Sequence, residues 1–313
     1  MRFRRTTIVL GFSLLASASP VLAQLNTQHI KGSAGLKSGS QAPPGGYVIA
    51  PILYFYQADT LKTRDGASLP TTADLNVSVF GGGISVVMPK TILGGHYGFS
   101  AILPGANNRI QGAEIDQNPG AGLTDMAIQP LSLGWHFKQA DAIVDYSIFA
   151  PTGRYTDGAS NNTGLGMWGQ EIAVGTTVYL NESREFHAAT LATFDFQSSK
   201  KDSTTEVGDV MNLEGGVGAD LLKGGLTTGL AYYAAFKLTD DVFANTGANA
   251  LVRGKSQVFA LGPEATLALA RHNTVYGLVT LRYQWEVYAR STTQGGAWNI
   301  QLVLLTKPLR LPS

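Results

Sequence analysis

Apolar and polar residues alternate with a period of two along much of this chain, most regularly between Thr274 and Arg290. One set of alternate positions there is apolar and includes Val279, Leu281 and Trp285, whereas the other set is mostly polar or charged. Because successive side chains of a β-strand point to opposite faces, the segment predicts a strand with one apolar and one polar face. It is much longer than the about five or six residues of an ordinary strand. This length and pattern are typical of a transmembrane barrel, whose strands face lipid outside and a watery lumen inside.

Similar alternation predicts about twelve strands after residue 46. The predicted fold class is all-β, a transmembrane antiparallel β-barrel. The predicted strands are Tyr47–Ala58, Leu75–Pro89, His96–Leu103, Leu123–Phe137, Ala140–Pro151, Gln170–Leu180, Phe186–Gln197, Val210–Leu222, Leu226–Leu238, Lys255–Ala270, Thr274–Arg290 and Trp298–Thr306.

The connections between these strands alternate between short and long. Lys138–Gln139 and Arg271–Asn273 are examples of the short ones, whereas Pro104–Gly122 and Thr239–Gly254 are long and rich in Gly, Asn, Asp or Thr. Bacterial outer-membrane barrels have short periplasmic turns and longer outer loops. The alternation therefore favours a barrel over a soluble sandwich, and it predicts that both termini are periplasmic.

The N-terminal residues predict export. Residues 1–23 combine three early arginines, a short apolar run and small residues before Ala23, which is the pattern of a signal peptide cleaved after Ala23. Residues 24–46, rich in Gly, Ser, Gln and Pro, are interpreted as a flexible periplasmic segment in preference to a small plug. The barrel is predicted over residues 47–308, with a C-terminal tail over 309–313.

Composition narrows the possible chemistry. The chain has no cysteine, which excludes disulfides, thiolate metal sites and a cysteine nucleophile. Its net charge of +1 and the lack of a basic stripe give no reason to expect nucleic-acid binding. Only 14% of the residues are charged, which is low for a soluble domain.

Ionisable residues recur at the positions predicted to face the lumen. Two interpretations are open: a salt-bridge network that braces a narrow barrel, or a charged lining that selects solutes. The candidates are Asp145, Glu171, Glu214, Asp220, Glu264 and Glu286, together with Lys237, Arg282 and Arg290.

The histidines do not suggest an enzyme. The sequence places His29 in the N-terminal segment, His272 in a tight turn, and His96, His136 and His187 near the periplasmic strand ends. Catalysis needs a nucleophile and a base within hydrogen-bond reach, and no such arrangement is indicated. No histidine pair or calcium-loop spacing indicates a metal site. We therefore predict no catalytic residues, no cofactor and no metal.

Four short motifs resemble the family of phenol meta-pathway outer-membrane transporters. They are Ala150–Tyr155, Gly164–Trp168, Gly122–Asp125 and Gly262–Glu264, and the likeness in layout extends over residues 45–308. The resemblance implies a single-chain barrel associated with the uptake of aromatic or other hydrophobic small molecules.

Arg154, Tyr155 and Trp168 are candidates for a constriction at the outer mouth. An aromatic ring and a guanidinium could stack on and orient an aromatic carboxylate. The alternative is an interfacial aromatic girdle, with the arginine reaching lipopolysaccharide phosphates.

The sequence as a whole predicts an outer-membrane channel for small molecules, with a closed structural or adhesion barrel as the alternative. The expected partners are outer-membrane lipid and lipopolysaccharide, the barrel assembly machinery and a small-molecule substrate, with no nucleic acid.

Overall fold

The computed structural model describes residues 26–69, 74–112, 115–242, 255–272 and 274–310. The expected signal peptide lies outside them. Among these residues, no helix is long and apolar enough to cross a membrane. The strands are β1 (Gly45–Leu61), β2 (Asp74–Ile92), β3 (Gly95–Gly112), β4 (Ile115–Gln117), β5 (Gly122–Leu123), β6 (Met126–His136), β7 (Ala140–Ala150), β8 (Gly169–Tyr179), β9 (Phe186–Gln197), β10 (Val210–Leu221), β11 (Leu226–Lys237), β12 (Gln257–Arg271), β13 (Thr274–Arg290) and β14 (Thr293–Arg310).

Twelve long strands form a closed antiparallel barrel. Each long strand pairs with its neighbours in sequence, β3 pairs directly with β6, and β14 closes the barrel on β1. The short strands β4 and β5 both pair with β3 near the ends of the long loops. Closure pairs both sides of each of the twelve long strands, which is a requirement for a sheet that crosses lipid.

All twelve predicted strands are confirmed, and β3 and β14 extend furthest beyond their expected ends. Strand β3 continues past Pro104 to Gly112, where Gly, Asn and Gln replace the apolar residues that would reveal alternation. Strand β14 begins at Thr293 and ends at Arg310. The expected tail at 309–313 is therefore wrong for Leu309 and Arg310, which pair with Val275 and Thr274 of β13.

The side chains of β13 follow the predicted faces through its middle. Leu281 is 44% exposed on the outer face, whereas the neighbouring Arg282 and Gln284 are buried inside the barrel. Near both ends the pairing register shifts, so that Tyr276 and Tyr288 face outward although the simple alternation predicts the opposite. A bulge adds one residue to a strand and thereby exchanges its two faces.

The short connections are tight turns at one end of the barrel. Leu93 and Gly94 link β2 to β3 with φ angles of 51° and 81°, as a two-residue hairpin turn requires. His272 has φ 50° in the equivalent turn between β12 and β13. We call this the short-turn end, where β1 also begins and β14 ends. The other end, which carries the longer connections, is the long-loop end.

Candidate functional site

The lumen contains residues 26–44, which we call the lumen segment. Near the long-loop end, the Thr27 hydroxyl donates to Asp195 of β9 at 3.0 Å. Near the short-turn end, the Ser40 hydroxyl donates to Asp141 of β7 at 2.7 Å. The segment therefore runs lengthwise through the barrel before β1 begins. The interpretation of 24–46 as a flexible periplasmic segment is corrected for these residues. Their polar backbone and side-chain groups are fixed by distant strands, which local composition does not reveal.

Glu214 of β10 is the central anchor of the lumen segment. Its side chain is fully buried and accepts hydrogen bonds from the backbone N–H groups of Gly32 at 2.6 Å and Ala34 at 2.7 Å. His29 Nε2 lies 3.0 Å from the same carboxylate. A buried charge is costly unless hydrogen bonds and opposite charges compensate it, and the lumen segment provides this compensation.

His29 bridges two strands. Its Nδ1 lies 2.6 Å from Glu171 of β8, while its Nε2 faces Glu214. Two carboxylates around one imidazole are best satisfied when both ring nitrogens carry a proton. His29, Glu171 and Asp195 also offer metal-ligand atoms within 4.8 Å of one another. Both nitrogens of His29 already lie within hydrogen-bond distance of a carboxylate oxygen.

A second anchor pairs Arg282 of β13 with Glu264 of β12. Arg282 Nε donates to the Glu264 carboxylate at 2.6 Å, and Nη1 donates to the carbonyls of Gly32 and Ser33. The segment passes so close that a Cβ at Gly35 would lie 2.0 Å from Arg282 Nη2. A larger residue at this crossing would have to displace the paired Arg282 and Glu264 side chains.

The other predicted lumen residues lie in separate places. The Glu286 carboxylate accepts hydrogen bonds from Tyr56 at 2.9 Å, Tyr233 at 2.8 Å and the Gly295 N–H at 2.6 Å. Lys237 forms an ion pair of 2.5 Å with Asp241. Asp145 is half-buried and lies opposite Ser132 in the register of β6 and β7. Lys37 of the segment pairs with Asp220, which the sequence also indicated.

Sequence reasoning missed Asp141, Asp195 and the role of His29. Both aspartates are buried and lie on the inward parity of their strands, so consistent use of alternation would have found them. The placement of His29 had no comparable signal, because it follows from the path of a segment without periodicity.

A cavity of about 230 Å³ lies in the long-loop half of the lumen, between the lumen segment and strands β1 to β3. Its lining combines apolar and aromatic side chains of β1 to β3 with the ionisable residues Lys31, Glu286 and Asp125. The lining residues include Ile30, Lys31, Tyr54, Tyr56, Leu75, Val77, Val79, Ala106, Asp125, Thr163, Leu165 and Glu286.

The outer side of this cavity is built from the motifs noted in the sequence. The Asp125 carboxylate accepts the N–H groups of Gly153 at 3.1 Å and Leu165 at 2.8 Å, which fastens the loop between β7 and β8 over the lumen. Burial raises the pKa of Asp125, although these two N–H donors oppose the shift. A Cβ at Gly164 would lie 2.8 Å from Gly153 Cα. The glycines of both motifs therefore permit a tight crossing of two chain segments.

The three predicted constriction residues lie in the loop between β7 and β8. Arg154 donates to the carbonyls of Asn161 at 2.7 Å and Pro119 at 3.1 Å. Lys200 Nζ lies 5.5 Å from the centre of the Tyr155 ring, and burial followed by the charge of Asp157 raises the pKa of Tyr155 to about 12. Trp168 is 55% exposed. None of the three lines the cavity that the structure describes.

Comparison with known proteins agrees with this fold. The crystal structure of the COG4313 outer membrane channel from Pseudomonas putida F1 is similar, with a TM-score of 0.72 and 12% identity, covering 85% of this chain and 97% of that chain. The β domain of the Bordetella autotransporter BrkA (0.43, 13% identity, 84% and 100% covered) and the NanC porin (0.38, 9% identity, 82% and 100% covered) score too low to carry an argument.

The similarity to the Pseudomonas channel shows a shared fold. No curated protein matches the sequence. The family model described as "Putative MetA-pathway of phenol degradation" matches residues 58–302. This match spans most of the chain and confirms the resemblance seen in the motifs, so the protein belongs to that family.

Proposed function

We propose that this barrel is an outer-membrane channel through which small hydrophobic or aromatic compounds pass passively. The observation that carries the proposal is the asymmetric filling of its lumen. From Thr27 to Gln41, the hydrogen bonds described for the lumen segment go to β6–β10, β12 and β13, or to the loop just before β8. The opposite wall, β1 to β3, borders the cavity.

The contacts of the lumen segment suit a removable occlusion. Most of those described are hydrogen bonds and ion pairs, each of which water can replace when the segment moves. The apolar contacts are fewer and involve Ile30, Ala34 and the buried Leu36. In this proposal the charged side of the lumen holds the lumen segment in place. The inward charges also set the electric field that a passing solute crosses. The inward charges would then have both roles that the sequence left open, because they would brace the barrel and also line the path of the solute.

For orientation, we propose that the short-turn end faces the periplasm, as in other bacterial barrels. The end of β14 then lies on the periplasmic side, as expected. At the start of the described residues, Asn26 and Thr27 lie near the long-loop end. That both termini are periplasmic stays a prediction. We propose contacts of the outer loops with lipopolysaccharide and insertion by the barrel assembly machinery.

Planar-bilayer recording tests this function when the lumen segment is reversibly cross-linked to the barrel wall. The side chains of Thr27 and Asp195 touch through a hydrogen bond of 3.0 Å, and a disulfide in the double variant Thr27→Cys, Asp195→Cys would tie the lumen segment to β9. The described residues contain no other cysteine. We expect conductance in the wild type, low conductance in the oxidised double variant and recovery on reduction. The single variant Thr27→Cys is the control and should not respond to reductant.

The alternative is a closed structural or adhesion barrel whose outer loops carry the function. The dense network around Glu214 and Arg282 is the observation that favours it. A folded, heat-modifiable protein without conductance in either redox state would decide for this alternative.

A further inference from the structure

We propose that the cavity beside the lumen segment binds a compact organic anion, a carboxylate on a single aromatic ring, with Lys31 as the partner of the carboxylate. The proposal deepens the channel function, since such a site would lie on the route between the segment and the wall. Binding itself can be measured without a membrane.

Lys31 is the group in the cavity to which an anionic ligand could bind. It lines the cavity and is half-buried, and no hydrogen bond or ion pair joins it to the residues that the structure describes. The other charged groups of the lumen segment differ, because His29 contacts two carboxylates and Lys37 pairs with Asp220. A partly desolvated ammonium gains from a charged acceptor.

The acids that share the cavity are already engaged. Glu286 accepts three hydrogen bonds, from Tyr56, Tyr233 and Gly295, and Asp125 accepts two backbone N–H groups. The available charged group is therefore the Lys31 ammonium, whereas the unpaired carbonyl oxygens of Gln28 and Asn108 in the lining are neutral acceptors. The preference for an anion follows from the charge of Lys31. The negative charges of the two acids oppose this preference, and a test must include a cationic ligand.

The shape and chemistry of the wall set the size of the ligand. Leu75, Val77, Val79 and Ala106 form an apolar surface, with the rings of Tyr54 and Tyr56 beside it. A volume of about 230 Å³ is below the roughly 300–1,000 Å³ of sites for drug-sized ligands, which leaves space for one small ring. An aromatic ring against this wall would bring its carboxylate toward Lys31.

Isothermal titration calorimetry on the full-length protein in detergent tests the proposal with three one-ring probes: benzoate, benzyl alcohol and benzylamine. We expect benzoate to bind about tenfold or more tightly than either of the other two. Lys31→Met should weaken benzoate binding by about the same factor and leave benzyl alcohol unchanged. Lys31→Arg should retain benzoate binding, because the positive charge is kept.

Lys223→Met, in the exposed turn between β10 and β11, is the matched control and should bind benzoate like the wild type. Heat-modifiable migration on gels establishes that each variant is folded, and Lys31→Gln replaces Lys31→Met if the latter fails to fold. Preference for benzylamine, no benzoate binding, or equal benzoate binding after loss of Lys31 would each overturn the site. None of these results depends on conductance, so the channel and the anion site can fail separately.

Discussion

At the scale of single residues, the lumen is organised by paired groups from the wall and the segment. Arg282 and Glu264 face each other at 2.6 Å, and the same guanidinium holds two carbonyls of the lumen segment. The polar parity of β13 predicts that Arg282 faces inward. Its segment partners could not be predicted, because Gly32 and Ser33 are about 250 residues away in sequence.

Arg282→Ala should lower the free energy of unfolding by about 3–5 kcal/mol, because it leaves Glu264 as a buried charge with weaker compensation. It should also increase channel opening, since the Gly32 and Ser33 carbonyls lose their donor. Thermal unfolding and single-channel recording on the same variant measure both effects. Arg64→Ala, at an exposed loop position, is the control. A normal melting temperature with altered ion selectivity would instead indicate an open lumen in which Arg282 only sets the field.

At the scale of elements, alternation predicted which segments form strands, but it did not predict where each strand ends. Strand β3 extends through Gly, Asn and Gln residues that carry no pattern, and register shifts exchange the faces near the ends of β13. The middle of β13 keeps its two faces, so it offers a direct comparison of lipid and lumen positions.

Leu281→Arg should impair stability by about 2–4 kcal/mol, because a charge near the membrane midplane faces lipid. The adjacent Thr280→Arg should be tolerated better, since Thr280 points inward and hydrogen-bonds Thr266 at 2.8 Å. Unfolding in lipid vesicles measures the difference. Gln284 is also polar and faces the lumen, but it is a poorer control position. Its side chain is only 2% exposed and lies against Gly32 of the lumen segment. Equal effects at 280 and 281 would show that the faces are misassigned.

The motifs Ala150–Tyr155 and Gly164–Trp168 lie at the two ends of the loop between β7 and β8, where their glycines allow two chain segments to pack closely. Gly164→Ala should loosen this loop, because a Cβ there would lie 2.5 Å from Asp125 Oδ1 and 2.8 Å from Gly153 Cα. We expect faster tryptic cleavage after Arg154, with barrel migration on gels unchanged. Gly45→Ala is the control, since its nearest neighbouring atom would be 3.5 Å away. Unchanged cleavage would mean that the loop is held by other contacts.

At the scale of the whole molecule, the barrel could be predicted from sequence and the content of its lumen could not. Alternation is a local property of neighbouring residues, and it identifies twelve strands and their inward charges. The lumen segment is fixed by long-range polar contacts, for which glycine-rich and serine-rich composition gives no direct signal. The inward acids Glu171, Glu214 and Glu264 were identified as candidates, but each also has a partner in the lumen segment, which was interpreted as flexible.

Deletion of residues 26–41 should raise conductance and lower thermal stability together. The lumen would widen, while Glu214 and Glu264 would exchange their backbone donors for water. Bilayer recording and thermal unfolding on the deletion variant measure the two quantities. Higher conductance without loss of stability would indicate that the network contributes little to holding the barrel together. Lower conductance would contradict occlusion by the segment.

The path of the lumen segment also bears on how the barrel is assembled. The segment precedes β1 in the chain, yet its described anchors lie on β6 to β13, so these strands can gather around it before the last seam forms between β14 and β1. We expect the segment to act as an internal template that brings the two ends of the sheet together. Folding experiments in detergent should then find slower seam closure when residues 26–41 are missing, even where the finished barrel is stable.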